Sequence, residues 1–420
     1  MSHSFVARAS AAAFVFTACS FITDRSLQAQ TGTITGNEFN PAISLILDGL
    51  YTDYHDDFAL PGFQIGGEAG LPEKGFSLGH TELGISANVD DSFYGSAVLA
   101  IHEHDGQTET ELEEAFVETL GLGNGFTVKG GKFFSHLGYL NSQHEHAWDF
   151  ADAPLVYAAL FGNHLIDEGV QARWLAPTDM YLELGAEITR GDGFPGGEND
   201  GNDGQVLFAK IGNDLTANSS WQLGVSGFRT NFLSRSGEAH AHDHGHEGEE
   251  EAEFVMNNGD VEIVGLDAVF KWAPTGNRQA QQLILQGEYF KRDENATLDF
   301  SEAGSNVVAD YDGEQSGYYA QAVFRFLPAW RVGARYDWIE ADNQLVELEA
   351  NGIDLEEFLA DTGFDNTDPI TRETWMLDYS RSEFSRVRFQ YSYSDLPDNR
   401  DELFLVQYTM SLGAHGAHRY

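Results

Sequence analysis

The chain has 420 residues, with 23 Lys and Arg against 67 Asp and Glu, and a formal net charge of -44. Such a balance excludes nucleic-acid binding by phosphate neutralisation, which needs a surplus of cations, so no nucleic acid is expected among the partners. The 45 glycines and 13% aromatics against 10 prolines suit strands joined by tight turns, and the only cysteine, Cys19, falls in the leader, which excludes disulfide scaffolds and cysteine zinc sites.

Residues 1–29 read as a signal peptide. Arg8 supplies a thin basic region, residues 11–22 (AAAFVFTACSFI) an apolar run, and residues 26–29 (SLQA) a cleavage site after Ala29. Lipoprotein processing at Cys19 is the alternative, although Phe16, three places before it, is not the usual aliphatic residue. Beyond the leader there is no run of about 18 apolar residues, so no transmembrane helix is expected. If residues 30–420 enter a membrane, they do so as a barrel.

From residue 40 onward, apolar and polar residues alternate with period two. In residues 330–338, Trp330, Val332, Ala334, Tyr336 and Trp338 share one face, opposite Arg331, Arg335 and Asp337. Residues 384–394 set Val387, Phe389, Tyr391 and Tyr393 against Arg386, Arg388, Gln390 and Ser392. In a soluble sandwich the apolar face is the core; in an outer-membrane barrel it meets lipid and the polar face lines a wet lumen.

The connections discriminate. Short links at 90–91, 121–125, 176–179, 215–219, 274–279, 327–329 and 381–383 alternate with longer polar links at 53–75, 102–108, 136–167, 190–202, 234–259, 293–314, 342–368 and 395–400. This predicts an all-β fold: a single antiparallel transmembrane β-barrel of about 16 strands, with short periplasmic turns, long outer loops and both ends periplasmic. The last strand, residues 403–412, precedes a terminal Tyr420. Export to the outer membrane, in contact with lipid and lipopolysaccharide, is the expected location. The alternative is a secreted or surface β-protein without a channel.

At residues 125–138 the sequence runs GFTVKGGKFFSHLG, a strand with a Gly-Lys-Phe step into a long third loop. This stretch, with residues 136–162 and the DEGVQ of residues 167–171, resembles the general porin family, particularly the branch near the phosphate-selective porins. The resemblance implies a diffusion channel, assembled as a homotrimer, whose third loop folds inward to narrow the pore. Phosphate selectivity is not carried over, because those lumens resemble ladders of Lys and Arg that this chain has too few cations to build. Within the wider family it is most similar to zinc-associated barrels with His-rich loops, some described as TonB-dependent receptors. Such receptors have a plug domain, and the stretch from Gln30 to the first strand near Ala42 is too short for one.

The most pointed local feature is His240, His242, Asp243, His244 and His246, four imidazoles in seven residues, followed by a run of glutamates in the expected fifth outer loop. Alternating imidazoles in a flexible acidic segment can offer Zn²⁺, Cu²⁺ or Ni²⁺ two or three nitrogens and a carboxylate. His102 and His104 on the second outer loop, and His144 and His146 on the third, add further His-x-His pairs on the same side. Incidental histidines on solvated acidic loops are the alternative. No cofactor is required; Zn²⁺ bound at these outer loops is the expected metal.

In an inward third loop, Glu145, Asp149 and Asp152 would present carboxylates at the constriction, opposite Arg331, Arg335, Arg386 and Arg388 on the lumen wall. Opposed acidic and basic walls set up a transverse field that screens solutes, and the acidic surplus implies cation preference. The sequence has no nucleophile elbow, His-Glu-x-x-His or phosphate-cradling loop, so a channel rather than an enzyme is expected. The expected function is passive diffusion of small cations, zinc or zinc complexes included, with metal capture by the outer histidines. The alternatives are a general diffusion porin with no metal role and a secreted metal-binding β-protein.

Overall fold

Alternation makes each of these segments half-apolar in a pleat, and among the described residues they fold as strands. A computed structural model describes residues 41–413, except 56–59, 64, 66–70, 73, 105–106, 239–252, 303–304, 383 and 398. The leader with Cys19, the histidine tract (His240, His242, Asp243, His244, His246) and Tyr420 lie outside the described residues. The strands are β1 (Ala42–Tyr54), β2 (Gly75–Leu78), β3 (Thr81–Asn88), β4 (Phe93–His104), β5 (Gln107–Thr119) and β6 (Phe126–Phe134). Next come helix α1 (Leu155–Phe161), β7 (Ile166–Leu175), β8 (Tyr181–Thr189), β9 (Gly204–Thr216), β10 (Ser219–Glu238) and β11 (Glu253–Trp272). After these follow β12 (Gln282–Glu302), β13 (Ser305–Leu327), β14 (Trp330–Asn351), helix α2 (Leu355–Thr362), β15 (Ile370–Ser382), β16 (Ser385–Asp395) and β17 (Arg400–Gly413).

All of them join one antiparallel sheet, and β1 pairs with β17 from Ser44 opposite Gly413 to Tyr54 opposite Leu403, which closes it. Both β2 and β3 pair with β1, at Gly49 to Thr52 and at Ala42 to Ile46, so they are two halves of one wall strand broken at Gly79 and His80. The wall is therefore a closed barrel of 16 strands. Closure gives every described wall strand a partner on both sides, as a lipid environment demands.

Each expected short link joins neighbouring strands, but several expected long loops are mostly strand. Within 234–259, 293–314 and 342–368, β10 runs on to Glu238, β11 starts at Glu253, β12 reaches Glu302, β13 starts at Ser305 and β14 reaches Asn351. The second outer link is likewise short, with β4 ending at His104 and β5 starting at Gln107. These stretches read as loops because their outward residues are polar. In register, the outward row Leu266, Tyr289, Tyr318 and Trp338 is apolar. Moving toward the loop end, the row Glu262, Asp293, Glu314 and Asp342 is acidic. Over the same span the inward face gains apolar residues, with Val261, Ile263, Phe290, Ile339 and Ala341 buried beside the buried polar groups Arg292, Glu294, Gln315 and Asn343. The strands continue past an apolar band and invert their pattern where water replaces lipid.

The inverted part of the wall encloses an apolar core. Phe63 and Ile65 from the first loop, Leu140, Trp148 and Leu160 from the third, and Phe358 and Phe364 around α2 pack with Phe228, Phe254 and Phe300 of the wall. Helix α2 is capped by the Asp354 side chain, which accepts from the Glu357 N–H at 3.0 Å, and ends at Gly363 with φ 61°. Its Phe358 ring lies 4.8 Å from that of Phe300.

Candidate functional site

Residues 135–165 link β6 to β7 and turn into the barrel. The neck is closed by Asn141, whose Nδ2 donates to the carbonyls of Ser135 and Leu165 at 2.9 Å while its Oδ1 accepts from the Leu165 N–H at 2.8 Å. Gly138 has φ 65°, and a Cβ there would lie 2.4 Å from Glu288 Oε2, so only glycine lets the loop pass this close to β12. Glu288 then accepts from the N–H groups of Tyr139 (2.7 Å) and Leu140 (3.0 Å) and from the hydroxyls of Tyr157 (3.0 Å) and Tyr319 (2.6 Å). Helix α1 is buried on almost every side, with Tyr157 and Phe161 edge-on to Phe290 at 5.4 and 5.1 Å.

The charged residues expected at the constriction are brought together, but in contact rather than across an open gap. Arg331 donates to Asp149 at 2.6 Å and also to Asp378. Arg335 donates to Asp152 at 2.9 Å and to Asp337 at 2.8 Å, and Arg372 reaches the other Asp152 oxygen at 3.2 Å. Arg386 and Arg388 donate to loop carbonyls, of His146 at 2.9 Å and Trp148 at 2.7 Å. Burial opposes the charge of Asp152, but Arg335 and Arg372 outweigh it and hold the carboxyl below its ordinary value. The arginines therefore clamp the third loop to β14–β16. The pairing went unread because alternation shows which face a side chain is on, not how far the loop reaches across.

Glu145 leaves this group. Its Oε2 lies 3.6 Å from His80 Nδ1, on the opposite part of the wall, where burial first and the neighbouring carboxylates of Glu113 and Glu82 raise its carboxyl above the ordinary range. Here the loop meets a dense set of imidazoles and carboxylates. His146 Nδ1 lies 2.6 Å from Glu82 Oε1, and His144 Nδ1 lies 3.2 Å from Glu82 Oε2 and 3.4 Å from Glu113 Oε2. His144 Nε2 lies 3.1 Å from Glu114 Oε2, and His80 Nε2 lies 2.9 Å from Glu113 Oε1. Burial disfavours a charged His144, yet Glu82, Glu113 and Glu114 outweigh it and hold the imidazole well above its usual value.

Local backbone irregularities build this set. The pairing of β4 with β5 slips between Val98 and Leu99, leaving Glu113 as the extra residue of a bulge, so Glu113 and Glu114 are both buried although adjacent. The break at Gly79 and His80 similarly brings His80 and Glu82 toward the loop. Sequence reading singled out His144 and His146 but missed His80, Glu82, Glu113 and Glu114. The signal that could have found them is the pair of consecutive glutamates, Glu113 and Glu114, inside an otherwise alternating strand. His102 is elsewhere, opposite Glu109 with Nε2 3.6 Å from its carboxylate, and His104 pairs through its backbone with Gln107.

No family model matches the chain. A protein described as uncharacterized from Aquifex aeolicus (strain VF5) is 35% identical over 416 residues, covering 93% of this chain and 82% of that protein. Among solved structures, the trimer form of OmpT, an outer membrane protein of Vibrio cholerae, is similar with a TM-score of 0.51 and 11% identity, over 89% of this chain and 99% of that one. An anion-selective porin from Comamonas acidovorans has a TM-score of 0.50 and 10% identity, over 89% of this chain and 99% of that one. The chain thus has the fold of outer-membrane porins.

Proposed function

The chain belongs to one family with the Aquifex aeolicus protein, and from its barrel we propose an outer-membrane diffusion porin for small cations, zinc or zinc complexes among them. The observation that carries this reading is the outward apolar band of the closed barrel, bounded by the Leu266, Tyr289, Tyr318 and Trp338 row, around an interior ring of charged side chains. An apolar exterior with a polar interior fits lipid outside and solute within. It works as a channel without chemistry of its own, and assembles as a homotrimer as the OmpT trimer form does. The acidic surplus favours cations, and the tract from His240 to His246 raises the local concentration of zinc at the mouth.

Single-channel recording in a planar bilayer tests this, with and without micromolar zinc, on the wild type and on a variant with His240, His242, His244 and His246 all changed to Ala. Conductance altered by zinc in the wild type alone supports metal capture at the mouth. Conductance indifferent to zinc in both leaves a general porin, and no conductance from folded protein removes the channel.

A further inference from the structure

The histidine–glutamate set beside the third loop is held by ion-pair contacts whose hydrogen bonding is incomplete. Glu113 is 2% exposed, yet its Oε2 has no hydrogen-bond partner among the described residues, nor has the buried His144 Nδ1 that lies 3.4 Å away. Buried polar atoms are normally satisfied, and two complementary ones left this close together point to something that both could bind.

The outer partners of these groups are already in place. His80 Nε2 holds Glu113 Oε1, which turns Oε2 inward. Glu114 holds His144 Nε2, which leaves Nδ1 turned toward the carboxylates of Glu82 and Glu113. A carboxylate on one ring nitrogen with the other aimed at a common point is how metal-binding imidazoles are oriented. His146 Nδ1 and His144 Nδ1 both face the two oxygens of Glu82. One donor atom each from Glu82, His144 and His146 lie within 4.8 Å of one another, as do those of His80, Glu82 and Glu113. Ligand atoms about 2.0–2.2 Å from a tetrahedral ion stand roughly 3.4 Å apart, so the 3.2 and 3.4 Å contacts of His144 already match and the 2.6 Å Glu82–His146 pair must open by roughly 1 Å.

We propose that the barrel interior holds a divalent transition-metal site in which Glu82, Glu113, His144 and His146 are ligands, with Glu114 and His80 as their positioning residues. Two imidazoles with two carboxylates suit zinc and disfavour calcium or magnesium, which take oxygen donors. The ion ties the third loop to β3 and β5 opposite the arginine clamp on β14–β16, so it fixes the loop from both sides. This goes beyond the diffusion reading, since it is a resident ion in the lumen and not capture at the mouth.

The test is zinc titration calorimetry on the full-length, detergent-folded chain with His240, His242, His244 and His246 changed to Ala, removing the outer tract. One ion per chain is expected, unaffected by excess calcium. Glu82→Gln should weaken it by more than about 100-fold, and Glu114→Gln by about 10–100-fold, as for groups that orient a ligand. Heat-modifiable gel migration reports folding; if Glu82→Gln does not fold, His146→Asn on the loop decides. No zinc bound by the tract-free chain, or unchanged affinity in folded Glu82→Gln or His146→Asn, overturns the site. Because the readout is equilibrium binding, it can fail while the bilayer conductance stands, and the reverse.

Discussion

At the scale of single residues, Arg335 shows what the interior charges do. It is 3% exposed and bonded to Asp152 on the loop and Asp337 beside it on β14. Removing one member of such a buried group strands the others, which costs about 3–5 kcal/mol. Arg335→Ala should lower unfolding stability by about that much and, in bilayers, raise conductance noise as the third loop loosens; an unchanged denaturation midpoint would refute the clamp. His136 and His164, at the two ends of the loop, are each pushed down to about 3, chiefly by burial. A folded value below the ordinary one near 6.5 means the neutral imidazoles favour the packed loop above about pH 6.5, and that this stability is lost as pH falls toward 3. Acidification through that window should loosen the loop, read as Trp148 fluorescence moving red, and His164→Asn should blunt the effect.

At the scale of elements, strand positions and short turns were legible because period-two alternation survives wherever one face is lipid and the other polar. It was less legible in the far ends of β10–β14. There the outward row turned acidic at Asp293 and Glu314, and acid-rich stretches such as residues 310–315 read as loops. The histidine pair at 144 and 146 could be picked out by eye, while its partners Glu82 and Glu113 depended on a strand break and a bulge that composition does not announce. The inversion itself is testable. Leu285→Arg, outward and within the apolar band, should cost about 2–4 kcal/mol in folding into bilayers, while Glu314→Arg, outward beyond it, should cost close to nothing. Equal penalties would place the membrane boundary elsewhere. Phe290, fully buried under Tyr157 and Phe161, is the wall residue on which α1 rests. Phe290→Ala should lose about 3–5 kcal/mol in a denaturant titration, and a loss below about 1 kcal/mol would mean α1 is not packed there.

At the scale of the whole molecule, the loop-end interior is filled by an apolar core with a buried Arg235, Arg292 and Glu294 group inside it, and the arginine clamp and the histidine–glutamate cluster flank the third loop. The third loop crosses between an arginine clamp on one wall and a carboxylate-rich cluster on the other. Arg331, Arg335 and Arg372 pair with Asp149, Asp152, Asp337 and Asp378, and Arg386 and Arg388 donate to loop carbonyls, while on the other side Glu82, Glu113, Glu114 and Glu145 face His80, His144 and His146. The proposed cation preference therefore rests on the acidic surplus of the whole chain, 67 Asp and Glu against 23 Lys and Arg. The most direct test of the channel account is the zero-current potential of the folded protein in a planar bilayer under a KCl gradient. The account predicts a stable conductance with a potential of the sign set by K⁺. A potential set by Cl⁻, or no conductance from folded protein, would contradict it.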